Sequence, residues 1–348
     1  MASDKIQEIK EIIQSSNINF LFGAGLSTPF LPLLGDIETE INQAINDDDE
    51  DKQVAAYKRY LQEVMLPNKD VISNTVSTQK QSDFDKVNVA YKNFFQTLTD
   101  IILDRKTTIL NKQVNIFTTN IDVFLETVLE ELQIEYNDGF SGRLNPIFNL
   151  WNLKKSIFQR SLHFGHKSEI PIFNIFKIHG SLTWKYDQTI TDNILLSKDL
   201  SHIADLGTKT GSDFLVEYKE KILVVNPENS KFSETVLNMY YYELLRSYSS
   251  ELERENSVLF VLGFSMADQH IRKLTLRLAK SNPTLKIFVF VYSKGSKSNM
   301  DELLETNIHK NIEILEPEDD EPTSKYTLEV ITNNIFKKLD TKNTENGE

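Results

Sequence analysis

The sequence predicts an α/β fold: a Rossmann-like parallel sheet with helices on both faces, a helical insertion subdomain and a C-terminal extension. Three observations predict it. Short, continuous apolar runs rich in Val, Ile and Phe recur along the chain, as strands covered on both faces require. Each run ends in a small or polar cluster and passes into helically spaced sequence, the alternation that builds a parallel sheet. The residues with chemical potential all follow those runs, and open α/β sheets bind ligands outside the carboxyl ends of their strands.

In chain order, Ile6 to Ser16 has helical spacing, and Ile18 to Phe22 is a buried strand that runs into a glycine turn. Ile37 to Ile45 reads as a helix, and Asp47 to Asp51 as a solvated acidic loop. Tyr57 to Asp104 is mostly helical, with breaks expected near Pro67 and over Ser73–Ser82. Val114 to Phe117 is a second strand, Val123 to Leu132 a helix, and Asn137 to Pro146 a turn region with Gly139 and Gly142. Further strands are expected at Ile172–Ile178, Ile222–Val225, Val258–Leu262 and Ile287–Tyr292. Helices are expected at Val236–Glu253, Ile271–Ala279 and Leu328–Leu339, with an acidic loop at Glu316–Glu321 and a disordered polar tail. The organisation expected is a core domain over 1–300, with helical insertions at about 36–110 and 126–170, and an extension over 301–348.

Composition narrows the function. The chain has 348 residues, 40% hydrophobic and 26% charged, which excludes a disordered, collagen-like or membrane-bundle protein. No apolar run approaches the roughly 20 residues needed to span a bilayer, and Met1 to Lys10 has no signal-peptide character, so a cytoplasmic protein without a membrane partner is expected. The net charge of −13 argues against direct nucleic-acid binding, though a local basic groove stays compatible with it. The absence of cysteine excludes disulfides, thiol catalysis and cysteine zinc sites. His163-x-x-His166 has a ligand-like spacing, but Gly165 weakens a helix there and no third ligand is visible, so no metal is expected.

Four segments carry chemistry. Gly23-Ala24-Gly25-Leu26-Ser27 follows the first strand; a helix N-terminus there would offer free N–H groups to a phosphate, and an ordinary strand-to-helix turn is the alternative. Thr118-Thr119-Asn120-Ile121-Asp122 offers two hydroxyls, an amide and a carboxylate, although Asn120 or Asp122 could simply cap the next helix. Lys177-Ile178-His179-Gly180-Ser181 places an imidazole at a strand end, a candidate general base or a structural histidine. Gly263-Phe264-Ser265-Met266-Ala267-Asp268 can meet a ribose or phosphate, with Asp268 capping the helix that starts near His270.

Together these segments resemble the sirtuin family over about 15–35, 112–127, 172–185 and 221–293. More narrowly, Thr118–Asn120, Lys177–Trp184 and Gly263–Ile271 resemble the bacterial sirtuin-like proteins of antiphage defence, which generally hydrolyse NAD+. The resemblance implies an NAD+ glycohydrolase with NAD+ as substrate, Asn120 positioning the ribose or a water and His179 as base. It assigns Gly23, Ala24, Gly25 and Ser27 to the pyrophosphate, Asp122 to the nicotinamide side, and Gly263 and Ser265 to the adenosine ribose. It also implies a homo-oligomer and a HerA-type ATPase partner. Deacylating sirtuins carry a module with four zinc-binding cysteines; this chain has none, so no zinc and no such module are expected. Asn226-Pro227 precedes the late glycine loop and is not equated with the deacylase asparagine. Alternatives are an NAD- or ADP-ribose-sensing subunit, and a protein deacylase or ADP-ribosyltransferase.

Overall fold

A computed structural model describes residues 3–105, 109–187, 193–228, 238–319, 321 and 323–339. Helix α1 (Ser3–Ser15) leads into β1 (Asn17–Phe22), and a 3-10 turn (Ala24–Ser27) follows. Helices α2 (Gly35–Asn46), α3 (Glu50–Tyr60), α4 (Leu66–Ser73) and α5 (Thr78–Leu103) form the first insertion. Then come β2 (Gln113–Thr118), α6 (Phe124–Glu131) and five short strands: β3 (Tyr136–Asn137), β4 (Phe140–Ser141), β5 (Ile147–Phe148), β6 (Phe158–Arg160) and β7 (Lys167–Glu169). After β8 (Ile172–Lys177), β9 (Trp184–Tyr186) and β10 (Ile194–Leu196) lie α7 (Ser201–Gly207) and α8 (Gly211–Lys221). The remainder is α9 (Met239–Leu252), β11 (Ser257–Leu262), α10 (Gln269–Ser281), β12 (Lys286–Phe290), α11 (Ser296–Leu303), β13 (Ile312–Leu315) and α12 (Leu328–Ile331), which continues through a π-helical turn to Leu339.

Seven strands form one parallel sheet in the order β13-β12-β11-β1-β2-β8-β3. The chain moves outward from β1 through β2 to the edge strand β3, fills the gap between β2 and β3 with β8, then returns to β11 on the other side of β1. The order therefore reverses between β1 and β11, the switch point at which open α/β sheets hold their ligands. Both sheet faces are covered. Phe20 and Phe260 stack on one face against Phe94 and Phe336 from the insertion and the C-terminal helix. On the other face Phe117 and Phe176 pack at 4.4 Å between ring centroids, with Tyr248 of α9 edge-on at 5.0 Å.

That second face also buries an asparagine ladder. Asn19, Asn115 and Asn174 are register partners on β1, β2 and β8; Asn174 Nδ2 donates to Asn115 Oδ1 and Asn115 Nδ2 to Asn19 Oδ1, both at 2.9 Å, and Asn19 Nδ2 donates to the Val258 carbonyl at 3.3 Å. Buried amides left unmet cost about 1–3 kcal/mol each, so the ladder penalises any slip of register.

Several expectations change. Ile222–Val225 is not a sheet strand: it lies across the end of β8, with a single antiparallel bridge from Val224 to Gly180. The 126–170 segment is helical only to Glu131, apart from a 3-10 turn at Leu150–Lys154; short strands make up much of the rest. Four of the short strands, β4-β5-β10-β9, form a separate antiparallel sheet. No break occurs at Pro67, because it sits in the first turn of α4, where no N–H is needed, and a π-helix (Leu61–Met65) joins α3 to α4. Asp49 caps α3 by accepting the Lys52 N–H at 3.0 Å, so the acidic run is partly a helix start. The sixth expected strand ends at Phe290, and the helix expected from Val236 is seen from Met239, residues 236–237 lying outside the described residues. The polar tail from residue 340 also lies outside them.

Candidate active site

The loops after β1 and β11 interlock at the switch point. Gly23 N–H donates to Leu262 O at 3.1 Å and Gly25 N–H to Gly263 O at 2.9 Å. A Cβ at Gly23 would sit 2.5 Å from Gly263 O, and one at Gly263, whose φ is +62°, 2.7 Å from Leu26 Cγ. Close loop-to-loop packing is therefore what glycine permits here. The phosphate-binding helix start expected at this point is one 3-10 turn, and the Gly23 and Gly25 amides already serve protein carbonyls. Ala24 is half-buried beside them. Ser27 is buried and donates to Asp122 Oδ2 at 2.6 Å. Ser265 is exposed, its hydroxyl accepting the Ala267 N–H at 3.4 Å.

The loop after β2 meets this pair. Asn120 N–H donates to Thr118 Oγ1 at 3.0 Å, and Asn120 Nδ2 donates to Gly23 O at 3.1 Å and Ser27 Oγ at 3.4 Å. Asn120 Oδ1 is buried and has no hydrogen-bond partner among the described residues. Asp122 also accepts the Phe124 N–H at 3.3 Å from one residue before the N-cap of α6, so it holds both the helix start and Ser27. Tyr91, on α5, turns its hydroxyl to Ser27 and Asn120; burial holds that phenol well above its usual pKa, and the Asp122 charge adds to the shift. Sequence pattern placed Tyr91 only in a helix; nothing in its spacing separates a site tyrosine from a core one.

The loop after β8 completes the cluster. His179 is buried, its ring 5.6 Å from that of His270 in the first turn of α10. Gly180 has φ +77°, and a Cβ there would lie 2.1 Å from Leu223 O, so glycine lets the 222–225 segment close over the strand end. Leu182 N–H donates to Ile121 O at 3.1 Å, tying the β2 and β8 loops together. Beneath them the Lys177 ammonium, only 2% exposed, donates to the Asp122 carbonyl and pairs with Glu126 at 3.3 Å. Burial pushes the Glu126 carboxyl upward, with Lys177 opposing. Asp268 occupies the N-cap position of α10 but makes no side-chain capping hydrogen bond.

The carboxyl edge thus gathers Gly23, Ser27, Asn120 and Asp122 in direct contact, Gly263 against the first of these, and two adjacent imidazoles nearby. His163 and His166 lie far from any helix, on the exposed turn between β6 and β7. Among the described residues no group of three or more His, Asp or Glu side chains is arranged to hold a metal ion.

Comparison with known proteins bears on this arrangement. A family model described as a SIR2-like domain matches residues 114–315, more than half of the chain. The match runs from β2 to the end of β13 and leaves out β1 and its glycine loop. The chain is similar to a solved structure described as the structural basis for the mechanism and regulation of Sir2 enzymes, at 11% identity and a TM-score of 0.45, covering 98% of this chain and 100% of that one. It is also similar to a Sir2 mutant with a p53 peptide and NAD, at 13% identity and a TM-score of 0.48, covering 96% and 98%. No curated protein matches the chain.

Proposed function

We propose an activity from one premise: this chain belongs to the family of SIR2-like domains. The reading is an NAD+ glycohydrolase that splits NAD+ into nicotinamide and ADP-ribose. The observation that carries it is Asn120 Oδ1, a buried acceptor with no partner among the described residues, at the switch point where α/β sheets hold ligands. A ribose hydroxyl or a water supplies the missing donor.

In the proposed reaction the bond between the ribose C1′ and the nicotinamide nitrogen breaks, and its electron pair neutralises the pyridinium. A water oxygen bonds to C1′ as positive charge develops there, and His179 takes the proton that water releases, later passing it to solvent. Asn120 positions the water or the ribose through Oδ1, while its Nδ2 is fixed by Gly23 and Ser27. Asp122 borders the nicotinamide side and orients Ser27. We assign Gly23, Ala24, Gly25 and Ser27 to the pyrophosphate, through shape and the serine hydroxyl rather than the committed glycine amides, and Gly263 and Ser265 to the adenosine ribose. Water as acceptor is supported by the lack of any cysteine, which leaves the zinc module of deacylating sirtuins without ligands. From the same resemblance we propose that NAD+ depletion serves antiphage defence in the cytoplasm, by a homo-oligomer working with a HerA-type ATPase.

A second reading, a subunit that senses NAD+ or ADP-ribose, draws on the burial of Asn120 at 7% and His179 at 6% exposure. Turnover of NAD+ by the purified chain, with products resolved by chromatography, separates the two. The hydrolase releases nicotinamide and ADP-ribose, and His179→Ala and Asn120→Ala each lose about 100-fold or more, as loss of a general base or its positioning predicts. Full turnover by His179→Ala overturns the assignment of the base. Binding of NAD+ without turnover means a sensor or an enzyme that waits for its partner, and repeating the assay with a co-encoded ATPase separates those two.

A further inference from the structure

The β6–β7 arm contradicts the chain's acidic character. Across the chain 51 of 348 residues are Asp or Glu, yet 139–168 contains neither, while holding Arg143, Lys154, Lys155, Arg160 and Lys167. Every residue from Lys154 to Ser168 is exposed. Among them are Phe158 at 57%, Leu162 at 94% and Phe164 at 69%, and Trp151 just before them is 72% exposed. A two-stranded ribbon with no third strand and no core is marginal by itself, and exposed apolar groups of this density mark an interaction surface.

The register shows what the surface suits. Arg160 faces Lys167 across the ribbon, a like-charge pair that is unfavourable until an anion lies against it. Phe158 shares that face with Arg160, two residues along the same strand. Its register partner Glu169 stands on the same face and accepts the Lys112 N–H at 3.1 Å. The ribbon is rooted at the amino ends of β2 and β8: Ile172 N–H donates to Lys112 O at 3.0 Å, and Gln113 Nε2 to Ser156 Oγ at 2.5 Å. It therefore projects from the pole opposite the switch point.

We propose that this arm binds single-stranded nucleic acid, with phosphates against Lys154, Lys155, Arg160 and Lys167 and unstacked bases on Trp151, Phe158 and Phe164. Exposed aromatic rings between cations, with the Glu169 carboxylate at the root of the ribbon engaged by the Lys112 N–H, suit a flexible polyanion that bears π-faces. A duplex keeps its bases inside and offers the rings nothing. The net charge of −13 describes the whole chain and fixes only the long-range field; the contact surface itself, within 139–168, carries five Lys or Arg and no Asp or Glu.

The test is fluorescence anisotropy with a labelled 30-nucleotide oligodeoxythymidylate and the intact chain. Four phosphate contacts give a log–log salt slope of about −3, or an affinity loss of about 50-fold between 50 and 200 mM salt. Arg160→Glu/Lys167→Glu lowers affinity at least about tenfold and flattens the slope by roughly 1.4. Phe158→Ala/Phe164→Ala weakens binding by about tenfold or more with the slope retained. All four side chains are exposed, so melting temperatures stay at the parent value. Absence of salt-dependent binding, or parental affinity in the charge-reversed variant, overturns the proposal. Polyglutamate or phosphatidylserine vesicles competing as well as the oligonucleotide also overturn it, in favour of an acidic protein segment or a membrane.

Discussion

Replacing Lys177 by Met removes the cation beneath the site while keeping the length of the side chain. Lys177 is 2% and Glu126 15% exposed, so the Glu126 carboxylate loses its counter-charge in a nearly dry environment. Breaking one side of a buried pair costs about 3–5 kcal/mol. At roughly 2–4 °C per kcal/mol for a large domain, the melting temperature falls by about 6–20 °C. The sign of the pH dependence follows from burial, which already raises the Glu126 pKa above 4.5 in the folded chain. A raised folded pKa means that stability is fully present below the unfolded pKa and is lost as pH rises through the folded one. The deficit of Lys177→Met is therefore larger at pH 8 than at pH 5. Adding Glu126→Gln removes the stranded charge and restores most of the loss. The Asp122 carbonyl stays unheld in both variants, so under the proposed hydrolase reading NAD+ turnover by the double variant stays below the parent's although its stability recovers. Differential scanning calorimetry at the two pH values is the assay. A single variant within 1 kcal/mol of the parent, or a double variant no better than the single, refutes the reasoning.

Further expectations follow from other contacts. Burial depresses the His202 pKa to about 4, so its contribution to stability is present above pH 6.5 and lost as pH falls toward 4; His202→Gln should flatten an acid-denaturation curve in that window, and an unchanged curve counts against it. Gly23→Ala puts a methyl 2.5 Å from Gly263 O and 2.6 Å from Phe264 Cα, against backbone that cannot swing aside. It should cost about 1–3 kcal/mol and disturb the switch point, as read by melting temperature and NAD+ binding. Asn115→Leu leaves Asn19 Oδ1 without its donor and Asn174 Nδ2 without its nearer acceptor, for a loss of about 1–3 kcal/mol by urea denaturation; a neutral result would show that the ladder does not hold the register.

The strands that meet across the sheet centre were readable because burial on both faces leaves apolar runs, unbroken at Val258–Leu262 and interrupted only by Asn19 at Ile18–Phe22. Edge strands lack that signature. Tyr136–Asn137 is two residues long and Ile312–Leu315 contains Glu313, so neither resembles the runs that precede them. Ile222–Val225 misled for the converse reason: it is buried by the loops and helices it lies between, and burial alone does not make a ladder. Of the candidate site, Ser27, Asn120 and Asp122 announced themselves as polar residues directly after apolar strands. Their partners Tyr91 and Lys177 did not, because a tyrosine in a long helix and a lysine closing a strand are ordinary until the fold turns them inward. The exposed arm was also hidden, since alternation and turn residues at 139–168 say nothing of whether anything covers them.

The interlocked glycines also set an order of events during synthesis. Gly23 and Gly263 touch, yet about 240 residues of chain separate them. A ribosome delivers β1 first, and β2 and β8 can pair beside it while the chain is still short. The other flank of β1 stays open until Ser257–Leu262 emerges and zips alongside Asn17–Phe22. The β1 glycine loop has no partner loop before that moment. A nascent or prematurely terminated chain that stops short of β11 therefore lacks the loop against which Gly23 and Gly25 pack, and the switch point is complete only in a chain translated past its late glycine loop.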